Sequence, residues 1–302
     1  MALVTGRRGL LGAAALAAAS SPAKAADARD NFTSLRLGAN LERWFPIAAD
    51  NRARRLGRGW WEGLRAAGFD HARLFIPREA TGGDDVPRLF LTAIEDALAT
   101  GMRILIGMAD LYESDAPWDE AMRRTVAASA RLFSGATDPA KVALAALNEP
   151  AFPDAAAWRP QRDALLQLMR TAAPRHVLLW GGHEWCSWRS LMEQTAPADP
   201  LTIAEVHDYL GGETNSVAER FGAVAAWGRR QGCPVMVTEL GGALDHGADE
   251  NAWAADLRRS LPELRRLGLP AALWAITHGS HWRLQRGEGP SLRPALAAAF
   301  RS

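Results

Sequence analysis

The apolar run "KVALAALNEPAF" (141–152) ends in Asn148, Glu149 and Pro150, and a second run, "PVMVTELGG" (234–242), carries Glu239 near its end. A buried strand ordinarily ends in turn residues, so a carboxylate placed there must be hydrated, paired or used. Two such carboxyls brought together can split a glycosidic bond. One, protonated, donates to the leaving oxygen; the other, ionised, meets the positive charge that develops at the anomeric carbon. A gap of roughly 5 Å implies retention through a covalent intermediate, and a gap nearer 8 Å leaves room for a water and implies inversion. Arg73 lies inside another apolar run, "ARLFIP". A charge there needs a buried mate, and Glu239 is the obvious one. Hydrogen bonds from Arg73 and Tyr209 are expected to keep Glu239 ionised.

The elements that must position these groups follow from the periodicity. Short apolar runs fall at 35–41, 71–76, 102–108, 142–147, 176–180, 202–206, 234–240 and 270–277. Stretches with helical spacing fill the gaps, at 56–67, 86–100, 116–133, 155–173, 184–194, 217–231 and 251–267, and 291–301 closes the chain. Glycine or proline stands at several helix exits, as in "ATGMRILIG" and "RRLGLPAALWAI", where a helix C-cap feeds a short turn. Eight βα units without a glycine-rich phosphate loop after the first predict an α/β fold, a single-domain (β/α)8 TIM barrel over residues 26–302.

A barrel restricts chemistry to the C-terminal ends of its strands. The residues there are polar and aromatic: Asn40, Glu42 and Trp44 after strand one, Asp110 and Tyr112 after strand three, and Asn148 and Glu149 after strand four. His183, Glu184 and Trp185 follow strand five, His207 and Tyr209 strand six, and His278 and His281 strand eight, which itself carries Trp274. Glu149 and Glu239, closing strands four and seven, are expected to face each other across the mouth. Glu42 and Glu205 are the carboxylates least expected to take part.

At these residues the chain resembles glycoside hydrolase family 5, the cellulase-like retaining β-glycosidases. The likeness rests on "LGANLERWFP", "ARLFIP", "LNEP", "VHDY", "VTELGG" and "LWA" at strands one, two, four, six, seven and eight, and covers nearly the whole chain after the leader. It implies that Glu149 is the acid/base and Glu239 the nucleophile. It further implies that Arg73 orients Glu239, that Asn148 holds the sugar 2-hydroxyl, that His207 and Tyr209 line the reacting subsite, and that Trp274 forms its floor. The family usually keeps a histidine at the end of strand three. Here that segment reads "ILIGMADLYE", with Asp110 the nearest polar residue.

Composition narrows the partners. A net charge of +1, with no basic run interleaved with aromatics, gives nothing to attract nucleic acid or acidic membranes. Twelve tryptophans against two tyrosines suit a protein that stacks on the apolar faces of sugars. Trp44, Trp180 and Trp185 are open between stacking and core filling, whereas Trp60, Trp61, Trp158, Trp227 and Trp253 sit on helical stretches and read as packing. No cofactor is expected. Nor is a metal: strand one lacks the His-x-His pair of metal-dependent barrel hydrolases, and "HGSH" (278–281) has no carboxylate or cysteine at ligand spacing.

The first 25 residues read as an export signal. Arg7 and Arg8 precede a short apolar stretch and the small-x-small site Ala23-Lys24-Ala25, so cleavage is expected before Ala26, by a general or twin-arginine route. A periplasmic or extracellular monomer without stable membrane association is the expectation. Cys186 follows strand five and Cys233 precedes strand seven, at opposite ends of the barrel, so both are expected to be free thiols. Together these residues predict an exported, cofactor-free β-glycoside hydrolase, an endo-β-1,4-glucanase acting on a polysaccharide. β-1,3-Glucan, mannan or a glycolipid head group are the alternatives within the fold; a non-catalytic sugar-binding barrel and a metal-dependent hydrolase are those outside it.

Overall fold

The computed structural model describes residues 22–41, 56–75, 85–107, 120–211, 215–242, 249–277, 282–287 and 289–301. Trp44, Asp110, Glu42, Tyr112, His278 and His281 lie outside the described residues. Eight parallel strands close into a barrel in chain order: β1 (Leu37–Leu41), β2 (His71–Phe75), β3 (Arg103–Gly107), β4 (Val142–Ala145), β5 (Leu178–Gly181), β6 (Thr202–Tyr209), β7 (Val235–Gly241) and β8 (Ala271–Thr277). β1 pairs with both β2 and β8, which completes the ring. The outer helices are α2 (Arg58–Ala66), α3 (Asp85–Ala99), α4 (Glu120–Ala136), α5 (Ala155–Ala172), α6 (Trp188–Met192), α7 (Val217–Gln231), α8 (Glu250–Leu267) and α9 (Pro294–Arg301). The expected TIM barrel is the observed fold.

Helix ends carry their own signals. Ser216 and Glu219 form a reciprocal capping box at the start of α7, and Gly232 ends that helix in the left-handed conformation at φ 63°. Asp249 caps α8, which stops at Gly268, φ 66°. Alternation along each strand then sorts the core in two. Ala39, Leu74, Ile106, Leu144, Val206 and Val237 point outward against the helices, within one large buried cluster. Leu105, Ala143, Ala145, Leu179, Ile203 and Met236 point inward and fill the lower barrel.

A further helix, α1 (Pro22–Thr33), spans the expected cleavage site. Its Phe32 is wholly buried among the inward-pointing residues, beside Val177 and Leu201, which immediately precede β5 and β6. Arg29 Nη1 donates to the carbonyl of Pro200 at 3.0 Å. The helix therefore plugs the N-terminal end of the barrel, opposite the strand ends that hold Glu149 and Glu239. Phe32→Ala is expected to lower the unfolding free energy by about 3–5 kcal/mol, the usual cost of emptying a core phenylalanine site. Urea unfolding reads it, and an unchanged midpoint would show that the plug contributes nothing.

The stretch 184–194 is mostly not helical. Trp185 and Cys186 take positive φ angles of 46° and 58°, which an α-helix does not allow, and only Trp188–Met192 coils, capped by Ser187. Residues 183–185 instead pair with the segment after β4: Phe152 N–H donates to His183 O and Trp185 N–H to Pro150 O, both at 3.0 Å.

Candidate active site

Arg73, from the middle of β2, points into the barrel and is completely buried. Its Nη1 donates to Glu239 Oε1 at 2.6 Å and to Asn40 Oδ1 at 3.2 Å, and its Nη2 donates to Asn148 Oδ1 at 2.8 Å. One guanidinium thus ties the ends of β1, β4 and β7 together, with the planar fork that suits such a task. Asn40 is fixed in turn by its Nδ2, which donates to the carbonyl of Thr238 at 2.8 Å.

Glu239 receives a second donor from β6. Tyr209 Oη donates to Glu239 Oε2 at 2.6 Å. The tyrosine ring packs against Gly241: a Cβ there would fall 2.3 Å from a ring carbon, so a larger residue would push Tyr209 away from the carboxylate. Trp282 also packs against this ring, with centroids 5.3 Å apart, and donates its Nε1–H to the carbonyl of Gly242. The expected link from Arg73 to Glu239 is present.

Glu149 follows β4 with φ 45°, a strained left-handed conformation for a non-glycine residue. That backbone turn lifts its carboxyl over the barrel mouth, where it is only partly buried. His207 Nδ1 lies 2.9 Å from Glu149 Oε1 and 3.5 Å from Glu239 Oε2. One donor atom from each of Glu149, His207 and Glu239 falls within 4.8 Å of the others. The two carboxyls therefore converge at one point of the barrel mouth, as their strand positions require. Such a trio can share a proton. A metal cation there would sit against the Arg73 guanidinium, which works against it.

The electrostatics follow from burial and charge. Burial pulls Arg73 down, but Glu205 and Glu239 outweigh it and hold its proton affinity above the ordinary value. Burial pulls His207 down as well, and Glu239 and Glu149 more than restore it, so its imidazole binds a proton more tightly than usual. Burial and then Glu239 push Tyr209 well up, which keeps it a phenol and a donor. For Glu239 burial is the largest influence and raises its proton affinity; His207, Arg73 and the Tyr209 hydrogen bond pull the other way, and Glu149 adds to the rise. The expectation that Arg73 and Tyr209 fix its charge is thus right in the contacts and incomplete in the balance, because desolvation wins.

Among the tryptophans, Trp180 is core: it is buried beneath the Arg162 guanidinium, 4.5 Å away, and beside Trp227. Trp61, Trp158, Trp227 and Trp253 are buried packing as expected. Trp185 is 50% exposed next to the Glu149 loop, and Trp274 is half-buried at the mouth, edge-on to Phe75. Cys186 and Cys233 are buried free thiols. Glu205, given little part from the sequence, is instead wholly buried in the barrel with Oε2 3.6 Å from Arg73 Nη2. Its two-residue spacing from His207 on β6 was the signal, since residues i and i+2 share a face.

Comparison with known proteins bears on the fold and the family. Among solved structures the chain is similar to the cellulose synthase subunit Z of Clostridioides difficile, at 15% identity and TM-score 0.71 over 89% of this chain and 100% of that one. It is also similar to Thermotoga maritima Cel5A in complex with mannotriose (17% identity, TM-score 0.74, 90% of this chain and 99% of that one). A mutant form of the same enzyme in complex with cellobiose gives 18% identity and TM-score 0.75 over 91% and 99%. At these identities the likeness establishes the fold. A comparison with curated proteins found no match. The family described as Cellulase (glycosyl hydrolase family 5) matches residues 66–280, most of the chain, with Arg73, Glu149, His207 and Glu239 all inside the matched span. The chain therefore belongs to glycosyl hydrolase family 5, a family of glycosidases.

Proposed function

We propose that this glycosidase is a retaining endo-β-1,4-glucanase, with Glu239 as nucleophile and Glu149 as acid/base. The observation that carries the reading is the carboxylate separation, within 4.8 Å between one oxygen of each. A contact this close favours the short separation of a double displacement, roughly 5–5.5 Å, over the roughly 6.5–9.5 Å gap that leaves room for a water. Glu239 attacks the anomeric carbon as the glycosidic C–O bond breaks, and the proton of Glu149 goes to the departing oxygen. Water then enters from the vacated side, gives its proton to Glu149 and displaces Glu239. Arg73 and Tyr209, one on each oxygen of Glu239, hold the carboxylate in its attack geometry. Asn148, aligned by Arg73, is assigned the sugar 2-hydroxyl, Trp274 the floor of the reacting subsite, and Trp185, beside the proton donor, the leaving-group side.

Choice of polymer rests on the fold neighbours, among them an enzyme described as an endoglucanase and a Thermotoga enzyme solved with both cellobiose and mannotriose. Soluble β-1,4-glucan, β-1,3-glucan and mannan should be offered in parallel, with product lengths and the first-formed anomer followed by proton NMR. Internal cleavage of β-1,4-glucan with a β-anomer first is the expected result. An α-anomer first would replace retention by inversion, and cleavage of mannan alone would move the specificity.

Because a protonated Glu239 cannot attack, activity falls as pH drops through its raised proton affinity. The acid limb of kcat/KM is thus expected above the ordinary glutamate value of about 4.3. Tyr209→Phe removes a bond that favours the ionised form and should move that limb to still higher pH. A limb that stays in place would remove Tyr209 from the tuning of Glu239.

We also infer export. Cleavage before Ala26 would shorten α1 by its first four residues and leave Ala28 and Phe32 in the barrel floor. N-terminal sequencing of material recovered outside the cytoplasm should read Ala-Asp-Ala-Arg; a start at Met1 would sink the inference.

A further inference from the structure

Arg73 serves two carboxylates. Nη1 lies 2.6 Å from Glu239 and Nη2 3.6 Å from Glu205. Glu205 sits beneath the mouth at 0% exposure, out of reach of a substrate. Its Oε2 accepts from Thr238 Oγ1 at 2.8 Å, and its Oε1 is buried with no hydrogen-bond partner among the described residues. Thr238 directly precedes Glu239 on β7, and its carbonyl accepts from Asn40, whose Oδ1 accepts from Arg73. Arg73, Glu205, Thr238 and Asn40 thus form a closed ring under the candidate nucleophile. One carboxylate suffices to neutralise one guanidinium, and Glu239 already does so. A second, fully desolvated carboxylate is costly to hold there, so simple charge balance does not account for it.

We propose that Glu205 is a positioning residue for the glycosidase reaction: it takes a share of the Arg73 guanidinium and fixes it through Thr238, so that Glu239 faces a cation already partly engaged. This rests on Glu239 being the nucleophile. A carboxylate paired alone with a buried guanidinium is a weak base and a poor attacking group; dividing the cation keeps Glu239 oriented yet reactive. The charged and titratable groups in play come from several elements. Glu239 faces Arg73 from β2, His207 and Tyr209 from β6, and Glu149 from the loop after β4. Arg73 and the thiol of Cys186, from the loop after β5, feel Glu205 as well.

The test is a carbon-13 NMR titration of the Glu239 carboxyl in glutamate-labelled protein, its resonance assigned by loss in Glu239→Gln. Glu205→Gln keeps the shape and removes the charge. Arg73 then faces Glu239 alone, and the titration midpoint should fall by about one pH unit. The acid limb of kcat/KM on an aryl β-cellobioside should fall with it, with kcat reduced and KM nearly unchanged. A folded Glu205→Gln protein whose Glu239 midpoint stays in place overturns the proposal, whatever its melting temperature. Should that variant not fold, Thr238→Val decides. It releases Glu205 from its hydroxyl and lets it draw more on Arg73, so the midpoint should rise, and an unmoved midpoint again overturns the idea. The titration needs no substrate. Failure of the nucleophile assignment shows separately, as near-native turnover in Glu239→Ala.

Discussion

Glu239→Ala is expected to reduce kcat by roughly 10⁴-fold or more, the scale on which enzymes lose rate when a covalent nucleophile is deleted. The side chain is buried and gripped by Arg73 and Tyr209, so the alanine leaves a cavity lined by donors that once held a carboxylate. A small anion fits both its size and its charge. Azide should therefore restore turnover of an aryl β-cellobioside and yield the α-glycosyl azide, because the anion attacks from the face Glu239 occupied. Mass spectrometry and the anomeric proton coupling of that product identify it. Near-native rates without azide would remove Glu239 from the reaction altogether.

Arg73→Met should lower stability and turnover together. The guanidinium is fully buried and holds Glu239, Asn40 and Asn148 by hydrogen bonds, with Glu205 close by. Methionine fills much of the space and supplies no charge. Two carboxylates then stay desolvated without their cation, and removing one partner of a buried pair typically costs about 3–5 kcal/mol. Urea unfolding of wild type and variant measures the loss. Adding Glu205→Gln to Arg73→Met should return part of it, since one of the stranded charges is then gone; a double variant no more stable than the single one would show that Glu205 draws little on Arg73. The folded fraction of Arg73→Met should also turn over far more slowly, as nothing holds Asn148 and Glu239 in register.

Why so much of this was legible in the sequence has a physical basis. Strands that are buried on both faces read as unbroken apolar runs, and eight of them separated by helical stretches leave few folds open. Once the barrel is drawn, its polarity sends Glu149 and Glu239 to one end and Cys233 to the other with no further information. What stayed hidden depends on energies that single positions do not display. Helix α1 goes unread because it is weakly amphipathic, its first four residues fall within the expected leader, and only Ala28 and Phe32 seat it in the barrel floor. The left-handed turns at Glu149, Trp185 and Cys186 are made without glycine, so no residue type announces them. Glu205 looked marginal because a carboxylate in mid-strand is ordinarily excluded from a core; only Arg73, far away in the chain, makes its burial tolerable.

The plug formed by Phe32 gives the molecule two poles. Any fusion partner joined ahead of α1 leaves the domain at the base, a barrel's length from the catalytic opening. An enzyme coupled to a bead or displayed on a cell through its amino end should thus present its working surface toward the surrounding liquid, where insoluble fibres can approach it unobstructed.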